Sequence, residues 1–576
     1  MKKLMLGNAA IAQGAYEAGV RLVSSYPGTP STEITENIVK YPEIFVEWAP
    51  NEKVAAEVAI GASIAGGRAM SCCKHVGLNV MADPVFTVSY IGANGGLVFC
   101  VADDPGMHSS QNEQDSRHYA KASKTVMLEP CDSADCKNFT MLAYEISEQF
   151  DVPVFIRLST RVSHSQSLVE VGERKEIDVK PYVKNVAKNV MMPANAIKRH
   201  VFVEERHNKL VEYAETSPLN VIENNDSEIG VITAGISYMY AKEALGDSVN
   251  YLKLGMVYPM PENLIKNFVK GLKKVYVIEE LDPFIEQHCK NIGVEVIGKE
   301  AFTLLGEYTP EMIKKAVLGV DGPYRTELSE VIPPRPPVLC PGCPHRATFF
   351  VLKKLGLTVS GDIGCYTLGA IAPLDSVDTT ICMGASVSAA HGMAKVRGQE
   401  FNKKLVSVIG DSTFIHSGIT GLIDIVYNKG ANTVIILDNS ITGMTGHQDN
   451  PTTGKTIRGE ATKQVNLITL CKAVGVDRVV VCDPFDLKQF EKVVKEETEA
   501  NEPSVIIAQR PCALLKSVKY EGKAFINEKC RKCKLCMKLG CPAISVDGGV
   551  VKIDASQCNG CGLCVGVCPF NAIEKE

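Results

Sequence analysis

The sequence predicts a multi-domain α/β protein whose parallel-sheet domains are followed by a short cysteine-rich tail. At 576 residues the chain is too long for one hydrophobic core, so roughly three to five domains are expected. Strand-like apolar runs alternate with longer helical stretches, which is the pattern of βαβ units. Eight of the 21 cysteines fall within the last 47 residues, and in a large chain this density indicates metal binding.

The composition excludes several classes of protein. Apolar residues make up 45% of the chain and charged residues 22%, as in soluble globular proteins. The net charge is −5, from 61 basic and 66 acidic residues, without the basic excess of a nucleic-acid-binding surface. The N-terminal apolar run is interrupted by Asn8, Gln13 and Glu17 and lacks a clear cleavage site, so no signal peptide is predicted. No apolar stretch reaches about 18 residues, and we expect a cytoplasmic protein without nucleic-acid or membrane partners.

The pattern divides the chain into four regions. Their predicted bounds are residues 1–175, 176–330, 331–515 and 516–576. The second region opens with a polar, lysine-rich connector of helical content, and an αβ pattern resumes at Ile229. The proline-dense stretch at 331–337 is predicted to be an extended linker, because it suits neither a helix nor a central strand. In chain order the predicted strands cover residues 96–101, 152–156, 230–233, 274–279, 405–409 and 433–437.

The tail contains two similar cysteine motifs, the one internal repeat that the sequence reveals. Each motif has three cysteines separated by two residues, and a fourth cysteine followed by proline. Three such thiolates bind one 4Fe-4S cluster, and in two-cluster bacterial ferredoxins the cysteine before proline ligates the other cluster. The predicted ligands are therefore Cys530, Cys533, Cys536 and Cys568 for one cluster, and Cys558, Cys561, Cys564 and Cys541 for the other.

Two features of the tail bear on this interpretation. The first motif has four residues rather than three before Cys541, which puts its local turn in doubt but leaves the number of ligands unchanged. The alternative is zinc, since pairs of Cys-x2-Cys knuckles can form four-thiolate zinc sites. Two triplets, each with a trailing Cys-Pro, favour iron–sulfur clusters. Two adjacent clusters in so small a domain predict electron transfer.

Polar residues follow two predicted strands of the third region. The strand at 405–409 ends in Gly410-Asp411-Ser412, and the strand at 433–437 ends in Asp438-Asn439. Because the carboxyl ends of parallel strands face one crevice, we expect Asp411 and Asn439 to lie close together. Their oxygens are suitable ligands for a hard divalent cation that retains positions for diphosphate and water. A lone Gly-Asp-Ser is more often a surface turn. The cation site is predicted here because the tripeptide follows a strand directly and Asn439 follows the next one.

This pair resembles the metal motif of thiamine-diphosphate enzymes, in which Gly-Asp precedes Asn by one βαβ step; here Asn439 follows Asp411 by 28 residues. The resemblance implies Mg²⁺ and thiamine diphosphate as cofactors, with the main-chain carbonyl of Ile441 as a third ligand. Further pieces resemble the pyrophosphate domain of 2-oxoacid:ferredoxin oxidoreductases, among them Gly384 in Met383-Gly384-Ala385-Ser386 and His345 after Cys340-Pro341-Gly342-Cys343. Ordinary turn chemistry is the alternative for any one of these glycines.

The first region resembles the pyrimidine-binding domain of the same family. Tyr26-Pro27-Gly28-Thr29-Pro30 matches a loop in which the threonine faces the substrate carboxylate, and Glu52 matches a glutamate that hydrogen-bonds the aminopyrimidine ring. A buried carboxyl group can share a proton with that ring. Glu57 is the alternative by proximity, and for Glu52 itself the alternative is an ordinary carboxylate on a helix face.

The polar segment at 107–117 follows a predicted strand, where substrate-contacting loops occur. It resembles the corresponding loop of indolepyruvate oxidoreductase large subunits. From this resemblance His108 or Arg117 could pair with the carboxylate of a 2-oxoacid. Solvated loop charges are the alternative.

The order of regions resembles the large subunit of the 2-oxoacid:ferredoxin oxidoreductase family, indolepyruvate type. The fold class expected is α/β, with pyrimidine- and pyrophosphate-binding parallel-sheet domains, a middle domain and a two-cluster ferredoxin domain. The resemblance implies a hetero-oligomer that a separate small beta subunit completes. The assembled enzyme is expected to convert aryl 2-oxoacids and coenzyme A to arylacetyl-CoA and to reduce ferredoxin. Three alternatives remain open: another 2-oxoacid as substrate, a non-oxidative thiamine lyase, and an electron-transfer or binding protein with a vestigial αβ body.

A third cluster is a further hypothesis. Cysteines in the order and context of Cys340, Cys343, Cys365 and Cys512 hold a cluster near thiamine in relatives such as pyruvate:ferredoxin oxidoreductase. Here Pro344-His345-Arg346 replaces the glycine-rich continuation of those relatives. Unligated core or redox cysteines are the alternative, since buried free cysteine is common.

Overall fold

A computed structural model describes residues 1–321, 329–333 and 335–576, which form two compact units, Met1–Ser329 and Glu330–Glu576. Within the predicted linker at 331–337, the described residues belong to neither helix nor strand, and Pro334 lies outside the described residues. In the part of the chain that is described, no helix is long and apolar enough to cross a membrane.

The first unit contains thirteen strands and fourteen helices among its described residues. Its strands are β1 (Lys2–Leu6), β2 (Leu22–Ser25), β3 (Phe45–Trp48), β4 (Ala69–Lys74), β5 (Leu97–Asp103), β6 (Val126–Leu128), β7 (Val154–Ser159), β8 (Gln166–Glu170), β9 (Val221–Glu223), β10 (Ile229–Thr233), β11 (Asn250–Lys253), β12 (Met256–Tyr258) and β13 (Lys274–Ile278). Its helices are α1 (Gly7–Glu17), α2 (Thr32–Ile38), α3 (Glu52–Ile64), α4 (His75–Val80), α5 (Ala82–Ile91), α6 (Arg117–Ser123), α7 (Ser133–Phe150), α8 (Thr160–His164), α9 (Val186–Asn189), α10 (Pro193–Thr216), α11 (Gly235–Leu245), α12 (Glu262–Phe268), α13 (Phe284–Asn291) and α14 (Pro310–Leu318).

The main sheet of this unit has seven strands in the order β12-β6-β7-β5-β4-β2-β3, and all are parallel except the edge strand β12. β5 is buried along its whole length, as expected for a parallel strand covered on both faces. A second sheet has the order β13-β10-β11-β9, and β1 pairs with β8. Because β2, β4 and β5 are neighbours, the residues that follow their carboxyl ends share one edge of the sheet.

The second unit contains nine strands and eight α-helices among its described residues. Its strands are β14 (Thr358–Ser360), β15 (Leu405–Gly410), β16 (Thr433–Asp438), β17 (Arg478–Cys482), β18 (Ser504–Gln509), β19 (Ala524–Ile526), β20 (Ile544–Asp547), β21 (Val550–Ile553) and β22 (Ile573–Lys575). Its helices are α15 (His345–Leu355), α16 (Ala385–Arg397), α17 (Gln399–Asn402), α18 (Asp411–Thr413), α19 (Ile419–Tyr427), α20 (Leu467–Ala473), α21 (Leu487–Thr498) and α22 (Leu563–Val567), with 3-10 turns at Cys365–Ala370 and Leu535–Leu539 and a π turn at Phe414–Gly418.

A five-stranded parallel sheet in the order β14-β15-β16-β18-β17 forms the body of the second unit. Apolar side chains of the central strands pack on both faces, with Val408 and Ile435 in one core and Ile409 and Ile436 in the other. The tail adds two small antiparallel pairs, β19 with β22 and β20 with β21. The α/β class and the parallel sheets that the sequence predicts are confirmed.

Candidate active site and cluster-binding sites

Two neighbouring strand ends bring Asp411 and Asn439 to one edge of the sheet in the second unit. β15 and β16 pair in parallel, with Gly410 opposite Leu437. Both side chains that follow are buried. The predicted adjacency of these strand ends is therefore confirmed, and the π turn soon after Asp411 is a feature frequent at functional sites.

The environment of Asp411 suits a cation. Its Oδ1 accepts the N–H of Ser412 at 2.7 Å, and its Oδ2 accepts the hydroxyl of Thr452 at 3.2 Å. Both donors are neutral, so they do not balance the negative charge. Burial, together with the nearby Asp438 carboxylate, raises the pKa of Asp411 to about 7. A bound divalent ion would relieve this unfavourable ionisation.

Asn439 is held by His345, a residue that the sequence predicts for cofactor binding. The Nδ2 atom of Asn439 lies 3.4 Å from Nε2 of His345, and burial lowers the pKa of His345 to about 4. The imidazole is therefore neutral near pH 7 and can accept the amide N–H. The Asn439 Oδ1 atom accepts the N–H of Ile441 at 3.4 Å. A carboxylate, an amide oxygen and the Ile441 carbonyl form a donor set suited to Mg²⁺.

Gly384 and Asp362 shape the same strand edge. Gly384 has a φ of +87°, and a Cβ there would lie 2.3 Å from the Ser417 Oγ. The Asp362 carboxylate accepts the N–H groups of Gly384 and Ser386, both at 2.9 Å. Asp362 thus fixes the turn before α16. No local spacing in the sequence points to this role of Asp362, because its two partners lie more than 20 residues away.

The structure brings the four cysteines of the third-cluster hypothesis into one neighbourhood. Burial raises the pKa of Cys365 to about 11, with further contributions from the thiols of Cys512 and Cys340. The N–H of Cys343 donates to the carbonyl of Cys340 at 3.1 Å. Cys512 donates its own N–H to the carbonyl of Asn439 at 2.9 Å. Cys512 therefore adjoins a candidate metal ligand, and the Cys340 and Cys512 thiols lie close enough to Cys365 to affect its ionisation.

The eight tail cysteines line two separate cavities in the groups predicted from the sequence. One cavity is lined by Cys530, Cys533, Cys536 and Cys568. The other is lined by Cys541, Cys558, Cys561 and Cys564. The fourth cysteine of each motif has crossed to the other group, which is the arrangement of two-cluster ferredoxins. The extra residue before Cys541 does not prevent this exchange.

The Cys340–Cys343 turn packs against the second tail motif. Asn559 donates to the carbonyl of Pro341 at 2.9 Å, and a Cβ on Gly342 would lie 2.2 Å from the Asn559 Nδ2. Gly342 also has a φ of +74°, so this close approach requires glycine. Arg346 donates to the carbonyls of Leu539, at 2.7 Å, and Cys340, at 3.1 Å. The Cys340–Cys343 turn and the cavity around Cys558 are thus direct neighbours. We call Cys340, Cys343, Cys365 and Cys512 the inner cysteines.

In the first unit, burial distinguishes Glu52 from its alternative. Glu52 heads α3, where the Asn51 side chain caps the helix by accepting the Val54 N–H at 2.9 Å, and it is 4% exposed. Its side chain packs on Gly77, where a Cβ would lie 2.6 Å from the Glu52 Oε1. Glu57 is exposed and pairs with Lys53. Burial therefore favours Glu52 over Glu57 as the carboxyl group of the candidate site.

Thr29 lies beside Lys74, a residue that the sequence analysis does not identify. Ser109 Oγ donates to the Thr29 carbonyl at 3.3 Å, and Lys74 Nζ donates to the Ser109 carbonyl at 2.9 Å. The Lys74 side chain also lies against Gly28. Burial lowers the pKa of Lys74 to about 8, while the Asp104 and Glu52 carboxylates oppose this effect. Lys74 ends β4, and its sheet neighbours, which sequence spacing does not reveal, place it beside the Thr29 loop.

The structure separates the two candidates in the 107–117 loop. His108 is exposed, and its Nε2 lies 2.9 Å from Glu307, which also pairs with Arg161. These three side chains line one open cavity. Arg117 is buried, and its guanidinium binds the carboxylates of Asp115 and Glu279. Because Arg117 is committed to this network, its geometry does not favour contact with a substrate.

Family models match three parts of the chain. The model described as pyruvate flavodoxin/ferredoxin oxidoreductase, thiamine diP-bdg matches residues 13–225. The thiamine pyrophosphate enzyme, C-terminal TPP binding domain matches residues 362–508. The 4Fe-4S binding domain matches residues 551–574. These matches cover the candidate residues Glu52, Asp411 and Asn439.

Full-length relatives decide the family. The indolepyruvate oxidoreductase subunit IorA of Archaeoglobus fulgidus is 42% identical over 100% of this chain and 97% of that protein. The chain belongs to the IorA family. The subunit of the same name from Pyrococcus horikoshii is 41% identical over 100% of this chain and 97% of its own length. The 2-oxoglutarate synthase subunit KorA of Methanocaldococcus jannaschii is 27% identical and matches 55% of this chain and 99% of its own.

Membership of the IorA family makes the chain a subunit of a thiamine-diphosphate-dependent 2-oxoacid:ferredoxin oxidoreductase with an iron–sulfur electron path. The resemblance that the sequence suggests is confirmed. The alternatives of a non-oxidative lyase and of a vestigial binding protein are set aside. As a subunit, the chain is part of a multi-subunit enzyme.

Proposed function

We propose that the chain is the catalytic subunit of an enzyme that oxidises aryl 2-oxoacids of the indolepyruvate type. The 2-oxoacid loses its carboxyl group as carbon dioxide, its acyl group forms a thioester with coenzyme A, and two electrons reduce ferredoxin. A small beta subunit completes the enzyme. The names of the full-length relatives support this substrate class and subunit arrangement.

Asp411, Asn439 and the Ile441 carbonyl hold Mg²⁺ in this proposal, and Gly410, Ser412, Gly384 and His345 shape its surroundings. The buried, uncompensated carboxylate of Asp411 supports the assignment. Thiamine diphosphate, when bound, supplies the electron sink for decarboxylation. His345 contributes by holding the amide nitrogen of Asn439. The amide oxygen, and not the nitrogen, is then the atom that binds the metal.

In the first unit, Glu52 exchanges a proton with the aminopyrimidine ring of the cofactor, a role supported by its burial. Thr29 and Lys74 orient the substrate carboxylate in this proposal. Their connection through Ser109, which places them side by side, supports this role. His108 stays a proposed substrate contact at the exposed cavity beside Glu307. Residues 1–175, 176–330, 331–515 and 516–576 remain our proposed division into pyrimidine, middle, pyrophosphate and ferredoxin domains.

Electrons leave through cysteine-bound clusters. The tail holds two 4Fe-4S clusters, with the ligand groups that line its two cavities. Cys340, Cys343, Cys365 and Cys512 hold a third cluster. One observation carries the proposal: in the second unit, the Cys512 N–H donates to the carbonyl of the candidate metal ligand Asn439, and the Cys340–Cys343 turn borders the cavity of the second tail motif.

The test is anaerobic reduction of ferredoxin and of methyl viologen by the purified complex. Indolepyruvate, phenylpyruvate, pyruvate and 2-oxoglutarate are compared, each with and without coenzyme A. The proposal predicts coenzyme A-dependent reduction with the highest kcat/KM for the aryl substrates. Preference for pyruvate or 2-oxoglutarate would contradict the substrate class, and decarboxylation without reduction would contradict the electron path.

A further inference from the structure

The two cysteine motifs of the tail share a backbone shape but not the residues expected for it. In the second motif, the residues before and after Cys561 are Gly560 and Gly562, with φ of +80° and +78°. In the first motif, the residues before and after Cys533 are Lys532 and Lys534, with φ of +55° and +60°. Both motifs therefore use left-handed backbone on each side of the middle cysteine.

Glycine is the residue that this backbone favours, because a Cβ is disfavoured at positive φ. Lysine in its place is unfavourable for folding, and the second motif demonstrates that the same turn can be built with glycine. A residue held in a disfavoured conformation is a pointer to function when the chain offers a better alternative. The two lysines are therefore candidates for a role outside the fold.

The charge of residues 529–538 also indicates a role outside the fold. Residues 529–538 carry five exposed basic side chains, which are Lys529, Arg531, Lys532, Lys534 and Lys538. None of the five forms an ion pair within the described part of the chain, whereas Lys552 of the same tail pairs with Asp547 at 2.6 Å. One acid, Glu528, stands beside the segment, and residues 558–568 of the second motif contain no charged residue.

Two residues of the basic segment line one cluster cavity, which also contains an exposed cysteine. Cys533 is exposed, and the cavity lined by Cys530, Cys533, Cys536 and Cys568 is also lined by Arg531, Lys534 and Phe570. Phe570 is 43% exposed. An exposed apolar centre with a charged rim is the anatomy of a protein–protein contact.

We propose that residues 529–538, with Phe570, are the docking surface for an acidic, single-electron carrier protein. This inference deepens the proposed function and rests on the cluster ligands assigned there. A cluster held by Cys530, Cys533, Cys536 and Cys568 would lose one electron at each encounter, and the carrier would gain it. No proton is transferred and no bond between the proteins is formed.

Charge complementarity identifies the occupant. Unpaired cations steer an acidic partner and raise its rate of association, and this effect weakens as salt increases. A brief contact of this kind suits a carrier that must leave after each transfer. Nucleic acid would also be attracted by a basic surface, and the experiment distinguishes it.

The experiment replaces both lysines with the residues that the second motif uses. Lys532→Gly and Lys534→Gly are combined in the full complex, and kcat/KM is measured for a purified acidic ferredoxin and for methyl viologen. At low salt we expect kcat/KM for ferredoxin to fall by about tenfold or more and to become less salt-dependent. The viologen rate, the iron content and the Tm are expected not to fall. Lys552→Gly is the matched control, because its charge is already paired.

The outcomes separate the proposals. Unchanged kcat/KM for ferredoxin with normal iron overturns the docking surface while leaving the proposed function intact. Failure of the wild-type complex to reduce viologen with any 2-oxoacid overturns the proposed function itself. If the glycine pair loses iron, Lys532→Asn with Lys534→Asn is measured instead, and iron loss in both pairs overturns docking in favour of a structural role. Binding of a short DNA duplex by wild type but not by the glycine pair also overturns it, in favour of a nucleic-acid surface.

Discussion

The backbone N–H of Cys512 donates to the carbonyl oxygen of Asn439 at 2.9 Å. Asn439 is a candidate ligand of the cofactor metal, and Cys512 is the fourth cysteine of the inner set. One hydrogen bond therefore joins the candidate metal site to the start of the proposed electron path. The pairing of β16 with β18, in which Asp438 faces Gln509, positions both residues.

This contact leads to a prediction about iron. Anaerobically purified protein should contain about twelve irons per chain if the inner set holds a third cubane, and about eight if only the tail is loaded. Cys512→Ser should remove about four irons and change the paramagnetic spectrum of the reduced protein. Cys471→Ser is the control, because this buried cysteine lies in an apolar core away from the set. An unchanged iron content and spectrum in Cys512→Ser would rule out the third cluster.

The second prediction concerns the cofactor metal. Asp411→Ala should lose thiamine diphosphate, because removal of the anionic ligand leaves the metal and diphosphate poorly held. The tail should keep its iron. Cofactor retention is measured by fluorescence after extraction and oxidation. Asp424→Ala, at an exposed position on α19, should retain the cofactor, and equal retention in both variants would contradict the assignment.

The third prediction compares two glutamates on one helix. Glu52→Gln should bind the cofactor but lower turnover by about 10² or more, because the amide cannot exchange a proton with the aminopyrimidine ring. Glu57→Gln should remain near wild type, since Glu57 is exposed and pairs with Lys53. Steady-state viologen reduction checks both. A larger loss in Glu57→Gln would transfer the role to that residue.

The fourth prediction is a pH dependence set by Lys74. Its pKa is lowered to about 8 by burial, so the side chain is cationic below that pH and loses its charge as the pH rises through it. The kcat/KM for indolepyruvate, which reports the free enzyme, should therefore fall above about pH 8. Lys74→Arg should shift this fall to higher pH, because arginine stays charged. Lys74→Met should lower kcat/KM about tenfold or more at neutral pH, and a wild-type pH profile in Lys74→Met would exclude this role.

The sequence predicts those parts of the site that depend on local order. The tail cysteines are grouped by their spacing, and Asp411 and Asn439 by the ends of consecutive strands, so both follow from short-range pattern. The roles of Lys74 and Asp362 do not follow from such patterns, although the stretch Gly361-Asp362-Ile363-Gly364-Cys365 resembles the pyrophosphate domain of the family. Their partners, Ser109 for Lys74 and Gly384 for Asp362, are set by strand order and by loops distant in sequence. The resemblance of the 107–117 loop makes Arg117 a candidate, and the sequence does not reveal its burial against Glu279, 162 residues away.

The order of the first sheet illustrates the same limit. β12, from the αβ pattern that begins at Ile229, joins the edge of the N-terminal sheet by pairing antiparallel with β6. The apolar pattern of a short strand does not reveal which sheet it will join, because the pairing depends on tertiary packing.

The central claim is that a 2-oxoacid reduces the clusters of this chain through the thiamine site, and one measurement tests it most directly. Anaerobic wild-type complex is mixed with indolepyruvate and coenzyme A, frozen, and examined by electron paramagnetic resonance. We expect the spectrum of reduced 4Fe-4S clusters in wild type, its absence in Asp411→Ala, and its return in that variant when dithionite is added. If the wild-type clusters stay oxidised after substrate although dithionite reduces them, electrons do not pass from the thiamine site to the clusters.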